Sequence, residues 1–431
     1  MHAQRRIHIH GSRSSTSGAL LLLLLTGLTG CGEEVKELPP LRADTTPKAS
    51  VTDLQDAPRS REGAMLLDLA FKAASAMPEN PHVKTRCRLM ADVVETWQAL
   101  SMPAKAAAMA TQITNWRRGL ALADLAYHCA ENGVEDLARS YIEKARQALA
   151  TMSPADAQQE WRADRIKARL AAVHILLGDN ETALELQKDL VPSESGKAAA
   201  AVARRAKESD YKELRAVLLH GKDTAPLDHL ENLIAAHVEI YRSLYQNKAI
   251  RDEVASDIRE AGKRLPIPIR LAHLHALALI AFEKKDAALA ITFGEDAKAL
   301  LDSMRSTAEH RVPETARLAS LQARIGQTEQ ARASLLASLA LFDLEIHTIM
   351  EMDRTEVLLP VAEAFAVLGD HDRAEDTYRR ALHEAGRNPN ARPRAEDLVA
   401  VACSVAKSGI KVSGALLAAL EQLQSGLAHP W

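Results

Sequence analysis

From about position 62 onward, apolar residues recur three and four places apart, with charged residues between them, over almost all of the remaining chain. That spacing gathers the apolar side chains on one face of an α-helix. Gly, Pro and short acidic clusters cut the pattern into helix-length pieces, as start and stop signals do. Ala and Leu supply most of the apolar mass while β-branched and aromatic residues are few, which favours helix throughout.

The pieces repeat. One frame reads Ala362, Phe365, Gly369, Ala374, Tyr378 and Ala381, and it fits again at Ala319, Gln322, Gly326, Ala331, Leu335 and Ser338. A third copy is Ala126, Cys129, Gly133, Ala138, Ile142 and Ala145, with shorter matches at Ala171–His174–Gly178–Ala183, Ala278–Ala281–Ala290 and Ala402–Val405–Gly409. Alanines at these positions let two antiparallel helices approach closely, and the glycine between them takes a left-handed cap without a Cβ penalty. Pro154, Pro226, Pro268, Pro313 and Pro393 fall where first helices begin, a position that tolerates a missing N–H.

This frame resembles the tetratricopeptide repeat. The resemblance implies an all-α, right-handed α/α superhelical solenoid of antiparallel helix pairs. About nine pairs are expected between Pro81 and Leu427, after a leading helix near Glu62–Ala76. The second-helix position falls at 138, 183, 290, 331, 374 and 414; outside the poorly fitting gap from 183 to 290 it advances by 40 to 45 residues, against about 34 in the family. Helices or linkers must therefore be longer than in the standard repeat. Glu194–Leu265 fits the frame poorly and reads as a short pair, Ala198–Lys207 with Tyr211–Leu219, then a longer one, Leu227–Tyr245 with Ile250–Arg264.

The N-terminus follows a different pattern. Arg5, Arg6 and Arg13 precede an apolar run from Ala19 to Leu28, too short to span a bilayer, which takes about twenty residues. It closes on Leu28-Thr29-Gly30-Cys31, which resembles the lipobox of bacterial lipoproteins. The resemblance implies cleavage before Cys31, lipidation of its thiol and acylation of the new amine; two or more acyl chains anchor stably where one is marginal. The expected organisation is therefore a signal peptide at 1–30, a lipidated Cys31 with a disordered, proline-bearing tether at 31–60, and the repeat solenoid at 61–431. Gly32 after the cysteine resembles the outer-membrane sorting default, which places the folded part on the periplasmic side.

Composition narrows the partner classes. Loss of 1–30 leaves 51 basic against 57 acidic residues, a balance with no electrostatic attraction for nucleic acid. Aromatics at 3% are too sparse for base-stacking or sugar-stacking surfaces. No His-Glu-x-x-His, Cys-x-x-Cys, phosphate loop or Gly-x-Ser-x-Gly elbow occurs, so no catalytic residue, metal or cofactor is assigned. His273 and His275, two places apart, point about 200° from each other around a helix and do not share a metal. His371 and Glu375 share a face but read as a solvated pair. Cys87 and Cys129 lie about ten helical positions out of step, about 15 Å at 1.5 Å per residue, beyond disulfide reach. They and Cys403 read as buried packing residues.

In the tetratricopeptide family the first helices line the concave, ligand-binding face. Carried onto the matched repeats, the groove-facing positions are Tyr127, Arg165, His275, Phe282, Ser320, Arg324, Glu356, Glu363 and Glu396, with the two aromatics as the expected anchors. The implied role is an envelope scaffold, held to a membrane by lipid and binding a protein or peptide partner. The alternatives are a glycan-capturing outer-membrane lipoprotein and a helical-toroid polysaccharide-degrading enzyme, both of which call for an aromatic-rich cleft.

Overall fold

The computed structural model describes residues 54–57, 60–220 and 222–431, and among these it contains helices and no strand. The expected signal peptide (1–30), Cys31 and most of the expected tether (31–60) lie outside the described residues. At the tether's far end the Ala57 N–H donates to Ser101 O and Asp56 Oδ1 accepts from the N–H of Ala104, fastening the chain to the first helical turn it meets.

The helices are α1 (Arg61–Ala76), α2 (Glu79–Ala99), α3 (Pro103–Ala110), α4 (Arg117–Glu131), α5 (Glu135–Ala150), α6 (Pro154–Ala157), α7 (Glu160–Leu177), α8 (Asn180–Gln187), α9 (Ala199–Arg204) and α10 (Tyr211–Leu219). They continue as α11 (Leu227–Ser243), α12 (Lys248–Gly262), α13 (Ile267–Glu283), α14 (Ala287–Ser303), α15 (Ala308–Arg324), α16 (Thr328–Glu345), α17 (Arg354–Leu368), α18 (His371–Gly386), α19 (Ala391–Ser408) and α20 (Gly414–Ser425). Apart from the single turn of α6 and from α9 and α10, α2 to α20 form eight packed pairs, and α1 is the leading helix. In the irregular middle α11 packs on α12 as expected, whereas α9 packs on α7 and α11, and α10 on α11, so the short pair read from sequence at 198–219 is not a packed one.

Packing follows the alanine frame. Ala126, Ala171, Ala278, Ala319, Ala362 and Ala402 on first helices, and Ala138, Ala183, Ala290, Ala331 and Ala374 on second helices, are fully buried. Gly133, Gly178, Gly326, Gly369 and Gly409 all have φ between +69° and +88°, the left-handed cap expected of them. Around Gly178, Gly326, Gly369 and Gly409 a Cβ would meet nothing within 4 Å, so backbone conformation and not crowding calls for glycine there. Asp179, Asp286 and Asp370 then cap the following helices by accepting from the N–H three residues on.

The α/α solenoid of helix pairs is as expected, and two details are corrected. Gly414 is exposed at the start of α20, so the frame slips in the last pair. Pro313 lies inside α15 and not in its first turn; Pro360, not singled out in the sequence, likewise lies inside α17. The spatial order adds a feature. First helices α2, α4, α7, α9, α11, α13, α15, α17 and α19 each pack on the next, and α19 packs back on α2. Outside that seam α1 lies along α19 and α2. Gly63 of α1 comes so near α19 that its Cβ would stand 3.7 Å from the Ala406 carbonyl oxygen. The solenoid of helix pairs is closed into a ring.

Candidate functional site

Closure turns the concave face into a lumen. Each first helix buries the stripe that meets its outer partner and turns a polar stripe inward: Arg88, Asp92 and Glu95 on α2, Asp353, Glu356 and Glu363 on α17, and Glu396, Ala400 and Lys407 on α19. These line one chamber of ≈440 Å³. A second, of ≈510 Å³, is walled by Pro268 of α13, Glu309, Pro313, Glu314 and Arg317 of α15, and Pro360 of α17. The two share Asp353, Glu356, Leu359, Glu363 and Ala400, so they are one continuous space. A wall reaching from Pro268 of α13 to Ala400 of α19, helices that are not neighbours, places that space inside the ring.

The space is acidic. Asp92, Glu95, Glu309, Glu314, Asp353, Glu356, Glu363, Glu396 and Asp397 face Arg88, Arg317 and Lys407. Arg88 is already shared with Glu396 at 3.1 Å and Asp92 at 3.5 Å, and Arg317 is paired with Glu314. Ser404 Oγ donates to Glu363 Oε1 at 2.6 Å and itself lies 2.9 Å from the buried Tyr378 hydroxyl, which fixes that carboxylate against the wall. Asp397 is 5% exposed, and burial, reinforced by Glu356, Glu396 and Asp353, pushes its carboxyl up to about 7. One carboxylate oxygen of Asp353 is buried without a hydrogen-bond donor.

The opposite arc is filled by its own ion pairs. Arg169 of α7 reaches Asp124 of α4 at 2.6 Å, and Arg242 of α11 reaches Glu283 of α13 at 2.7 Å. Arg204 of α9 pairs with Glu239 of α11 at 2.9 Å and, across α7, with Glu131 of α4. Glu194, fully buried, accepts two charge-assisted bonds from Arg165 and one from Lys197.

The sequence-predicted groove residues divide accordingly. Glu356, Glu363 and Glu396 come together in the chamber. Tyr127 does not offer an open ring: it is 8% exposed, Arg169 lies 3.8 Å over its face, and Arg204 donates to its hydroxyl at 2.8 Å. Arg165 is committed to Glu194 and stacks 4.9 Å from Trp161. His275 is half-buried, and burial with the nearby Arg317 charge pulls it down to about 4, so it is neutral at physiological pH. Ser320 is half-buried on α15, while Phe282, 40% exposed, and Arg324 stand at the C-terminal ends of α13 and α15, away from the chamber-lining residues. Arg88, Asp92, Glu95, Asp353 and Asp397 were missed. The α2 stripe Arg88, Asp92, Glu95 is legible as i, i+4, i+7, but α2 falls outside the matched repeats, and nothing local pairs it with α19.

Cys87, Cys129 and Cys403 are buried and free, and burial raises the thiols of Cys129 and Cys403 to about 11. Among the described residues no group of three or more His, Cys, Asp or Glu is placed to hold a metal ion, and no helix is long and apolar enough to cross a membrane.

No family model and no curated protein matches the chain. Among solved structures it is similar to a circular tandem repeat protein described as having novel repeat topology and enhanced subunit contact surfaces. The identity is 16% and the TM-score 0.26, over 85% of this chain and 95% of the other.

Proposed function

We propose that this protein is a partner-binding scaffold, tethered to a membrane of the bacterial envelope through a lipidated Cys31, whose ring receives part of a protein or peptide partner in its lumen. The lumen chamber carries the proposal. Asp92, Glu95 and Glu356 are exposed within it and contribute little to the packing of the ring; Asp92 is shared with Arg88, while Glu95 and Glu356 are in no ion pair among the described residues and can contact something else. Structural ion pairs, by contrast, occupy the opposite arc.

A glycan-handling reading has one observation behind it: a carboxyl near 7 among other carboxylates is the pattern of acid–base sites. Yet among the described residues no Phe, Tyr or Trp lines either chamber, and Asp397 is held beneath the wall at 5% exposure. Sugar-stacking faces are missing from the lining, and the scaffold reading is preferred.

The test joins anchor and lumen. With a photo-crosslinking amino acid in place of Leu359, a lumen residue of both chambers, irradiation of living cells should join the protein to a discrete envelope partner. Cys31→Ser should move the protein out of the membrane fraction and leave residues 1–30 attached. A wild-type protein that stays wholly in the aqueous phase of a detergent partition, with 1–30 intact, rejects the lipid anchor. Absence of any crosslink from position 359 rejects the lumen.

A further inference from the structure

The chamber is rich in hydrogen-bond acceptors and poor in donors. Beyond its carboxylates, Pro313 and Pro360 line it from helix interiors, and neither has the N–H that would serve the carbonyl four residues earlier, at Glu309 and Glu356. Asp353 adds a buried carboxylate oxygen that, among the described residues, has no hydrogen-bond donor. A buried acceptor left unserved is costly, so a group that fills this space is favoured if it brings N–H donors and positive charge.

The charges are spread along the walls of four helices and, among the described residues, do not converge on one point, which suits several cationic side chains on one strand of chain and not a single ion. Size limits the segment. One helical turn, about 10 Å across and 5.4 Å long, displaces roughly 400 Å³, so either chamber holds only a few residues. Between α16 and α17, Met350 and Met352 are 61% and 51% exposed, and Met352 lines the chamber. Unbranched methionines adapt to varied apolar side chains.

We propose that the lumen takes a short, extended, lysine- or arginine-rich segment of the partner, with an apolar residue of that segment resting on the Met350–Met352 lip. This rests on the scaffold reading above. Charge complementarity supplies attraction and register, while Asp353 and the other chamber carboxylates accept from the segment's ammonium or guanidinium groups.

The probe is octalysine, titrated calorimetrically into the full-length protein in uncharged detergent, beside spermine, calcium and octaglutamate. Octalysine should bind one per ring and weaken as salt rises, because the contacts are electrostatic. Exchanging three exposed lumen acids, Asp92→Asn, Glu95→Gln and Glu356→Gln together, should lower its affinity by on the order of tenfold or more. The same loss of charge on outer helices, Glu143→Gln, Glu181→Gln and Glu329→Gln, should leave it unchanged. None of the six side chains is buried, and a melting curve on each variant checks the fold. Equal weakening by both triple variants would mean diffuse surface attraction and overturn the proposal. Octalysine that does not bind overturns it too, as does calcium or spermine binding in its place. If a cellular partner still crosslinks at position 359 in that case, the scaffold reading stands and only the cationic occupant is wrong; if it does not, both fall.

Discussion

Tyr127 and Phe282 share an aromatic label and sit on first helices of the same ring, yet their surroundings give them opposite parts. Tyr127 is clamped between Arg169 and Arg204, so Tyr127→Ala removes a buried ring and strands two guanidinium groups. It should cost about 3 kcal/mol or more. Phe282→Ala, at an exposed helix end, should stay within about 0.5–1 kcal/mol. Chemical denaturation of the two single variants checks the contrast, and equal losses would contradict the burial assigned here. Asp397 makes a prediction of a different kind. Its folded-state value, about 7, lies above the ordinary 3.8, so the folded protein holds this proton more tightly than the unfolded chain does. Stability therefore declines as pH climbs from about 4 to 7, and the full cost, on the order of a few kcal/mol, is present above 7. Asp397→Asn should melt higher than wild type at pH 8, with the gap narrowing toward pH 4. A gap that is constant across that range would show that the carboxyl ionises normally. Neither residue's role was open to the sequence: a tyrosine in a groove position reads as an anchor until the arginines of two other helices are found on top of it.

Helices and their joints were the most legible level. The alanine frame located the buried contacts and the glycines located the left-handed caps, because both are local demands of backbone geometry. The exceptions are instructive. Seven residues after Ala278 the frame asks for the cap glycine and finds Lys285, which adopts φ +67° all the same. That lysine carries a left-handed penalty its counterparts avoid. Lys285→Gly should stabilise the α13–α14 joint by about 1 kcal/mol, read as a shift in the melting midpoint. A destabilised variant would mean that the lysine side chain earns its place by contacts. Pro313 was read less well, and Pro360 was not singled out at all. A proline five or six residues past a helix start looks like a start signal, and only the three-dimensional trace shows helix on both sides of it. Their mid-helix positions then matter for the chamber.

At the scale of the whole molecule, closure decides what the inner faces become, and it was not legible. The bend of a solenoid accumulates from small rotations between successive pairs, and a few degrees in each separate a spiral from a ring. Repeat spacings of 40 to 45 residues do not encode those degrees. The nine acidic side chains of the chamber were visible as ordinary helix-surface charges; that helices from the two ends of the chain bring them together was not. The seam offers a direct check. Ala70 of α1 is fully buried, so Ala70→Glu places a charge in that tight packing. The variant should keep its helicity while small-angle scattering reports a larger radius, and protease should gain access near Met77–Pro78. A compact variant with wild-type protection would show that α1 does not hold the ring shut.

The same seam sets an order of events in time. More than three hundred residues of chain separate α1 from α19, the helix it lies against. At roughly 5–20 residues per second of synthesis, the apolar face of α1 waits on the order of tens of seconds for its partner to be made. Phe71 is covered early, by Trp97 of α2, but the face of α1 that carries Gly63 and meets Ala406 of α19 stays open during that interval. The first helix made is thus the last to be fully covered, and the unfinished chain carries an open edge that invites chaperone capture or pairing with a neighbouring molecule's α19.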